Sequence, residues 1–121
     1  MFDDRSPIYR QIAEQIKADI LNEHIAPDEQ VMSTNQYAAF HKINPATAAK
    51  AFQELMDEGL IYKKRGIGMF VSPDAREKLT AERRERFFAD RIEPMVQEAR
   101  AIGISLRSVI HRLEQFEKED R

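Results

Sequence analysis

The sequence lacks the residues on which several classes of protein depend. It contains no cysteine, which excludes a disulfide framework, a thiolate zinc site and a cysteine nucleophile. No apolar run approaches the roughly 20 residues needed to cross a bilayer. The first four residues include two aspartates and no basic residue, and no apolar run follows them, unlike a signal peptide. We therefore expect a cytoplasmic protein with no membrane partner.

Histidine is scarce as well. His24, His41 and His111 fall in three different predicted elements, and none has the spacing of a metal site. No Ser–His–Asp grouping stands out. The segment 66–68 has two glycines but is followed by a predicted strand, whereas a nucleotide-binding loop is followed by a helix. We therefore expect no metal and no cofactor, and these absences argue against the alternative of a small hydrolase or cofactor enzyme.

A surplus of positive charge is also missing. The whole chain has a formal net charge of −2, and residues 1–72 have eight basic and ten acidic side chains, again −2. Nucleic-acid binders are commonly basic, so DNA binding requires that charge be segregated. Lys42, Lys50 and 63–65 flank one predicted helix and hairpin, whereas the acidic residues gather near the end of the first predicted helix.

One stretch has helix signals at both ends. Asn44 is a suitable N-cap, Pro45 suits the first helical position, and Gly59 can adopt the left-handed conformation that closes a helix. Apolar residues at spacings of three and four predict its buried face: Ala48, Phe52, Leu55 and Met56. The opposite face is small and polar: Ala46, Thr47, Lys50 and Gln53. A helix that approaches another surface closely has such a face.

A basic hairpin is predicted directly after this helix. Strands are expected over 60–64 and 69–72, joined by a tight turn over 65–68 with two glycines. The tip carries positive charge beside glycine backbone: Lys63, Lys64, Arg65, Gly66 and Gly68. A small-faced helix followed by a basic hairpin is typical of a winged helix-turn-helix DNA reader, whose helix enters the major groove.

The helix that Asn44 caps would be the recognition helix of such a reader, and two helices are predicted before it. The first covers 7–22, with Ser6 as its N-cap. A short extended piece over 31–32 leads to a second helix over 34–41, capped by Ser33. Three residues of the second helix are expected to face the core: Tyr37, Ala38 and Phe40. Helix, short turn, helix and hairpin is the order that this fold requires.

This ordered set of motifs resembles the DNA-binding domain of the GntR family of bacterial transcription regulators. The resemblance covers residues 7–72, with matches at 7–12, 33, 44–47, 50–55, 58–61 and 65–71. The short tail resembles the YtrA-type subfamily, which implies a small helical dimerisation module. Members of that subfamily often accompany transporter genes, so control of a small-molecule transporter is implied by resemblance.

The resemblance and the residue pattern together predict the DNA-binding residues: Ser33, Asn35, Asn44, Ala46, Thr47, Lys50, Lys63, Lys64, Arg65, Gly66 and Gly68. In the family, the position of Ser33 lies close to a phosphate, which suits a helix N-terminus. The chain also departs from the family pattern. Asn35 replaces an arginine that commonly contacts DNA in relatives. Ala46 stands where relatives have a polar residue that contacts bases, and Met69 replaces a threonine of the wing. We therefore expect few direct base contacts.

The composition changes after residues 72–74, and we place a domain boundary there. Helical patterns are predicted over 74–102, with Pro94 expected to kink or divide the helix, and over 106–119, capped by Ser105. Leu79 and Phe87 are expected to pack back onto the first domain. The apolar stripes are expected to be buried against a second chain: Phe88, Ile92, Met95, Ala99, Ile102, Leu106, Val109, Ile110, Leu113 and Phe116.

The predicted fold is mainly α with a small β-hairpin: a winged helix-turn-helix domain over 1–72 followed by a two-helix dimerisation module over 73–121. The expected function is a homodimeric transcription regulator, a repressor, on a two-fold-related double-stranded DNA operator. The alternative is a helical protein-interaction module on a winged-helix scaffold without DNA readout. The sequence leaves a small-molecule effector open and does not indicate one. The tail is too short to enclose a ligand cavity within one chain, so an effector would bind between modules or between chains.

Overall fold

The computed structural model describes residues 2–120. Its elements in chain order are α1 (Ile8–Leu21), β1 (Gln30–Val31), α2 (Thr34–His41), α3 (Pro45–Asp57), β2 (Ile61–Lys64), β3 (Gly68–Val71), α4 (Ala75–Phe87), a π-helical segment (Phe88–Ile92), α5 (Glu93–Ala101) and α6 (Leu106–Glu119). The chain forms two compact units, the first ending at Ala81 and the second starting at Glu82. Within residues 2–120, no helix has the length and apolar character that a membrane span requires.

The core of the first unit lies where α1 and α2 pack on α3. Isoleucines spaced by four bury one face of α1: Ile12, Ile16 and Ile20. Three of the four predicted core residues of α3 are buried, namely Ala48, Phe52 and Leu55, and Met56 is half-buried. Burying an aliphatic or phenylalanine side chain stabilises a fold by about 1.5–3 kcal/mol. The periodic patterns therefore identified the residues that hold these helices together.

The predicted caps of α2 and α3 are confirmed. The Ser33 hydroxyl accepts the N–H of Gln36 at 3.1 Å, and the Gln36 side chain accepts the N–H of Ser33 at 3.0 Å, which is a capping box. Asn44 accepts the N–H of Ala46 at 2.8 Å. At the other end of α3, Gly59 has a φ of +75°, and its N–H donates to the Met56 carbonyl.

The predicted cap of α1 is wrong. Pro7 occupies the N-cap position, and no side chain caps this helix. The Ser6 carbonyl instead accepts a hydrogen bond from Gln11 Nε2 at 2.7 Å. The Gln11 side chain also bonds the backbone of Asp3, so it holds the segment before α1.

The hairpin is part of a three-stranded antiparallel sheet with the order β1-β3-β2. The two hairpin strands begin and end within one residue of their predicted limits. The third strand is β1, where Val31 pairs with Met69 and Gln30 pairs with Phe70. The extended piece predicted at 31–32 therefore belongs to the wing, because it satisfies the open edge of β3.

The prediction that Phe40 faces the core is wrong. It is 69% exposed, whereas Tyr37 is 8% exposed and Ala38 is buried. The buried side of α2 is centred between Tyr37 and Ala38. His41, one turn after Tyr37, falls on that side and lies with its ring centroid 4.2 Å from that of Tyr37. Phe40 projects beyond it.

The first unit extends beyond the predicted boundary at Ser72, because the first turns of α4 are part of its core. Ala75 and Leu79 are both buried there, which confirms that Leu79 packs back on the first domain. Arg76 Nε donates to the Leu21 carbonyl at 3.0 Å. Phe87, the predicted partner of Leu79, is half exposed and lies outside this core.

Pro94 divides the helix of the second unit, as predicted. The π-helical segment directly precedes α5, where Pro94 occupies the first turn. Proline has no N–H to donate to the carbonyl four residues earlier, and its ring clashes with that carbonyl. A π-type register relieves this conflict locally. After α5, Gly103 has a φ of +77°, and Ser105 caps α6 by accepting the N–H of Ser108 at 3.1 Å.

Candidate nucleic-acid interface

The N-terminal face of α3 is open to solvent. Asn44, Ala46 and Lys50 are exposed, and Thr47 is half-buried. The side-chain oxygen of Asn44 is used by the cap, so its amide N–H groups are the part that can contact another molecule. This face offers one methyl group, one hydroxyl, one amide and one ammonium group. Such a small face allows a close approach to base edges.

Two residues of α1, which were not predicted from the sequence, lie beside this face. Lys50 Nζ lies 4.1 Å from the centroid of the Tyr9 ring, which is a cation–π contact. Arg10 Nε donates to the Tyr9 hydroxyl at 3.3 Å, and this hydrogen bond raises the pKa of the Arg10 guanidinium. Tyr9, Arg10 and Lys50 thus form a cation cluster. Its only signal in the sequence was that Tyr9 and Arg10 fall in the family-like segment 7–12.

Ser33 and Asn35 lie at the N-terminus of α2, and both are exposed. Ser33 is fully engaged in the capping box, with its hydroxyl and its N–H both bonded to Gln36. The positive end of the helix dipole and the first-turn N–H groups remain a suitable environment for a phosphate. Asn35 adds a neutral amide beside this end of the helix.

The two wing lysines project from opposite faces of β2, because side chains alternate along a strand. Lys64 Nζ lies 4.9 Å from the centroid of the Phe70 ring, and the Phe70 ring stacks on Tyr62 at 5.7 Å. Lys63 pairs with the buried Met69 and shares its face with the buried Ile61. Since α3 contacts β2 and Ile61 faces the core, Lys63 is the lysine on the side of the recognition helix.

The tip of the wing is braced by a residue distant in sequence. Gln30 Nε2 donates to the Ile67 carbonyl at 3.1 Å. At Gly68, whose φ is +148°, a Cβ atom would lie 2.5 Å from Gln30 Nε2, so a side chain there would displace the brace. Gly66 has a φ of +77° and open space around it, which leaves its backbone accessible. Arg65 is exposed beside it.

A second surface lies on the second unit. The apolar stripe of α6 is largely uncovered in the single chain: Leu106, Ile110, Leu113 and Phe116 are exposed and Val109 is half-buried. Phe88 and Ile102 are also exposed, and Ile92 and Met95 are half-buried. Ala99 differs, because it is already buried within the single chain. An apolar face of this kind on a charged helix indicates an association surface.

Within residues 2–120, no group of three or more His, Cys, Asp or Glu side chains is arranged to hold a metal ion.

Comparison with known families identifies the chain. The family model described as bacterial regulatory proteins, gntR family, matches residues 8–71, which is the segment from α1 to the end of β3. The chain belongs to the gntR family. The cation cluster, the small face of α3 and the braced wing all lie within the matched residues.

Individual relatives agree with this assignment. The chain is 31% identical over 109 residues to the HTH-type transcriptional repressor YtrA of Bacillus subtilis (strain 168), covering 88% of this chain and 83% of that protein. A GntR family transcriptional regulator from Listeria monocytogenes has a TM-score of 0.76 and 27% identity, covering 94% of this chain and 98% of that one. The gntR-family chain is therefore a YtrA-type regulator with a winged helix-turn-helix fold, as predicted.

A further solved structure includes nucleic acid. The DNA-binding domain of AraR in complex with operator ORX1 has a TM-score of 0.55 and 28% identity, covering 60% of this chain and 93% of that one. Together with the family match, this likeness establishes a DNA-binding transcription regulator and not an enzyme.

Proposed function

We propose that this gntR-family chain is a homodimeric repressor that binds a two-fold-related operator, with one winged domain on each half-site. The observation that carries the proposal is the composition of one surface: the exposed, small N-terminal face of α3 lies beside the Tyr9–Arg10–Lys50 cluster. The net charge of the chain is −2. Local grouping of cations, rather than overall charge, therefore provides the attraction to phosphate. Such a protein acts in the bacterial cytoplasm.

The recognition helix reads the major groove with few base contacts. Thr47 offers a hydroxyl and a methyl group, Ala46 offers a methyl group suited to thymine, and Asn44 keeps its amide donors. Lys50, held over Tyr9, contacts a phosphate together with Arg10. Ser33 and Asn35 at the start of α2, by contrast, place N–H groups and a neutral amide near the backbone of the same half-site.

The wing adds contacts at the edge of the half-site. Arg65 supplies a guanidinium at the exposed tip, and the backbone at Gly66 approaches the DNA without a side chain in the way. Gly68 supports this approach indirectly, because it leaves room for the Gln30 side chain that braces the tip. Lys63 lies on the side of the sheet that α3 contacts, and it binds phosphate. The ammonium group of Lys64 instead contacts the stacked rings of Phe70 and Tyr62 on the outer face of the sheet.

The second chain of the dimer covers the apolar stripe of α6 and the exposed residues before it. Without it, four large apolar side chains would be exposed to water: Leu106, Ile110, Leu113 and Phe116. Burial stabilises the dimer by about 25 cal/mol for each Å² of apolar surface removed from water. A two-fold arrangement places the same stripe on both partners, and the half-sites are then about one helical turn or more apart. The relative YtrA is named a repressor, and we infer the same direction of control here.

The test is binding of the full chain to DNA from its own upstream region, measured by fluorescence anisotropy across a salt series, with a random duplex as control. We expect preferential binding at two chains per site that weakens steeply with salt. Equal, weak binding to both duplexes contradicts operator recognition in that region.

One variant separates base reading from phosphate contact. Thr47→Ala should change the preference among operator sequences, whereas equal loss of affinity on every sequence would make Thr47 a phosphate contact. Absence of any binding at low salt would favour the second candidate, a protein-interaction module. The negative net charge and the uncovered α6 stripe are the observations that favour that candidate.

A further inference from the structure

A cavity opens on the first unit between α1, the loop after it, β1 and α2. Its volume is about 280 Å³, near the lower end of the roughly 300–1,000 Å³ of small-molecule sites. Its apolar wall includes Ile16, Ile25, Val31 and Phe52. All of these residues belong to one compact unit, so the cavity does not depend on a second chain.

The charged groups that line the cavity are negative. Asp19 and Glu29 contribute carboxylates, and the lining residues, which all lie in the described part of the chain, include no lysine or arginine. Asp19 Oδ1 lies 3.3 Å from His24 Nδ1, and Glu29 Oε1 accepts the N–H of Ala26 at 3.1 Å. Each carboxylate therefore uses one oxygen within the chain and has a second one for another partner.

Tyr37 gives an independent indication of a ligand. Its side chain lines the cavity and is more than nine-tenths buried, yet its hydroxyl makes no hydrogen bond to any residue from 2 to 120. The hydroxyl is not among the fully enclosed side-chain polar atoms of the described residues, so it faces the open cavity and can accept or donate a hydrogen bond there. Burial raises the pKa of Tyr37, and the negative charge of Asp19 raises it further. The phenol therefore lies within the field of that carboxylate.

We propose that this cavity binds a small organic cation, a protonated amine carried on an apolar or aromatic body. The ammonium group donates to the second oxygens of Asp19 and Glu29 and to the Tyr37 hydroxyl. The body lies against the wall of the cavity, where the rings of Tyr37 and Phe52 meet edge to face at 5.5 Å. Aromatic rings beside carboxylates favour cations over neutral molecules of equal shape.

The same cavity touches the brace of the wing. Gln30 lines the cavity, and its Nε2 holds the Ile67 carbonyl at the wing tip. An occupant that contacts the Gln30 amide changes this bond and with it the position of the tip. The consequence for DNA affinity rests on the proposed function of the wing, whereas binding of the cation does not. The cavity is thus an effector site within one winged domain, not between chains.

The experiment is a titration of the 15N-labelled full chain with benzylammonium, followed by two-dimensional NMR, with uncharged benzyl alcohol as the matched ligand. We expect saturable shifts of the Gln30 side-chain amide and of the backbone amide of Ile67. The alcohol should bind at least about ten-fold more weakly. Asp19→Asn combined with Glu29→Gln should weaken benzylammonium binding by a similar factor. Glu77→Gln combined with Glu85→Gln, which also removes two negative charges but at exposed positions outside the cavity, should not.

Tyr37→Phe tests the hydroxyl separately. It keeps the buried ring, so the spectrum should stay dispersed while the affinity for benzylammonium falls several-fold. Equal binding of the alcohol, or no saturable shift, overturns the site. Shifts at the cavity without any at Ile67 support the site and overturn its coupling to the wing. Because the titration contains no DNA, its failure is distinct from a failure of operator binding.

Discussion

The two adjacent lysines of the wing should contribute unequally to DNA binding. Lys63 lies on the sheet face that α3 contacts, whereas Lys64 is held over the Phe70 ring on the other face. Each phosphate contact contributes roughly 0.9 to the slope of log affinity against log salt. Two chains double that value, so Lys63→Gln should lower the slope by about 1.8.

A change of that size is easy to measure. Between 50 and 200 mM salt, the wild-type chain should lose roughly 12-fold more affinity than Lys63→Gln. The factor is the four-fold rise in salt concentration taken to the power of the slope difference, about 1.8. Arg65→Gln at the exposed tip should behave like Lys63→Gln. Lys64→Gln should change the slope by less than about 0.9.

The assay is fluorescence anisotropy with the upstream duplex at several salt concentrations, after each variant has been shown to unfold like the wild type. An equal effect of Lys64→Gln and Lys63→Gln would refute the argument from opposite faces. Replacing Lys63, Lys64 and Arg65 together should weaken binding to every sequence and flatten the slope. An unchanged slope in that triple variant would show that the hairpin does not contact DNA.

Three further predictions concern stability and assembly. Leu79→Ala should destabilise the first unit by about 2–5 kcal/mol in chemical denaturation, whereas the exposed Glu77→Ala should change it by less than about 0.5 kcal/mol; similar values would exclude Leu79 from the core. Asn44→Ala should cost about 1 kcal/mol through the lost cap and Asn44→Ser very little, while both should weaken operator binding if the amide donors contact DNA. Ile110→Glu should convert the dimer to a monomer in light scattering, and Gln115→Glu on the same helix should not; a dimer that survives the first change refutes the α6 interface.

The parts of the fold that were predicted well depend on contacts within a few residues. Ser33 and Asn44 cap helices by bonding N–H groups two or three positions away, and Gly59 closes α3 through its own backbone conformation. These signals are complete in a short segment. Which face a helix buries depends also on the elements that pack against it. The sequence of α2 alone does not show those elements, so Phe40 was wrongly assigned to the core.

The site was predicted in part. Lys50 and the wing residues followed from helix spacing, a basic turn and the family resemblance. Tyr9 and Arg10 were missed because their contact with Lys50 joins two helices, and Gln30 was missed because its partner Ile67 is 37 positions away. No pattern along the chain indicates such a pair. The roles of all these residues in DNA binding stay predictions.

The sequence by itself determined where most helices and strands begin and end, the order of a winged helix-turn-helix domain, and the exclusion of cysteine chemistry. Only the tertiary structure decided how far into α4 the first unit extends, that β1 and Gln30 brace the wing, and that a cavity lined by the Tyr37 side chain lies beside them. The physical reason is the range of the interactions. Caps and turns are satisfied within one turn of the chain, whereas cores, braces and cavities are formed by residues that only folding brings together.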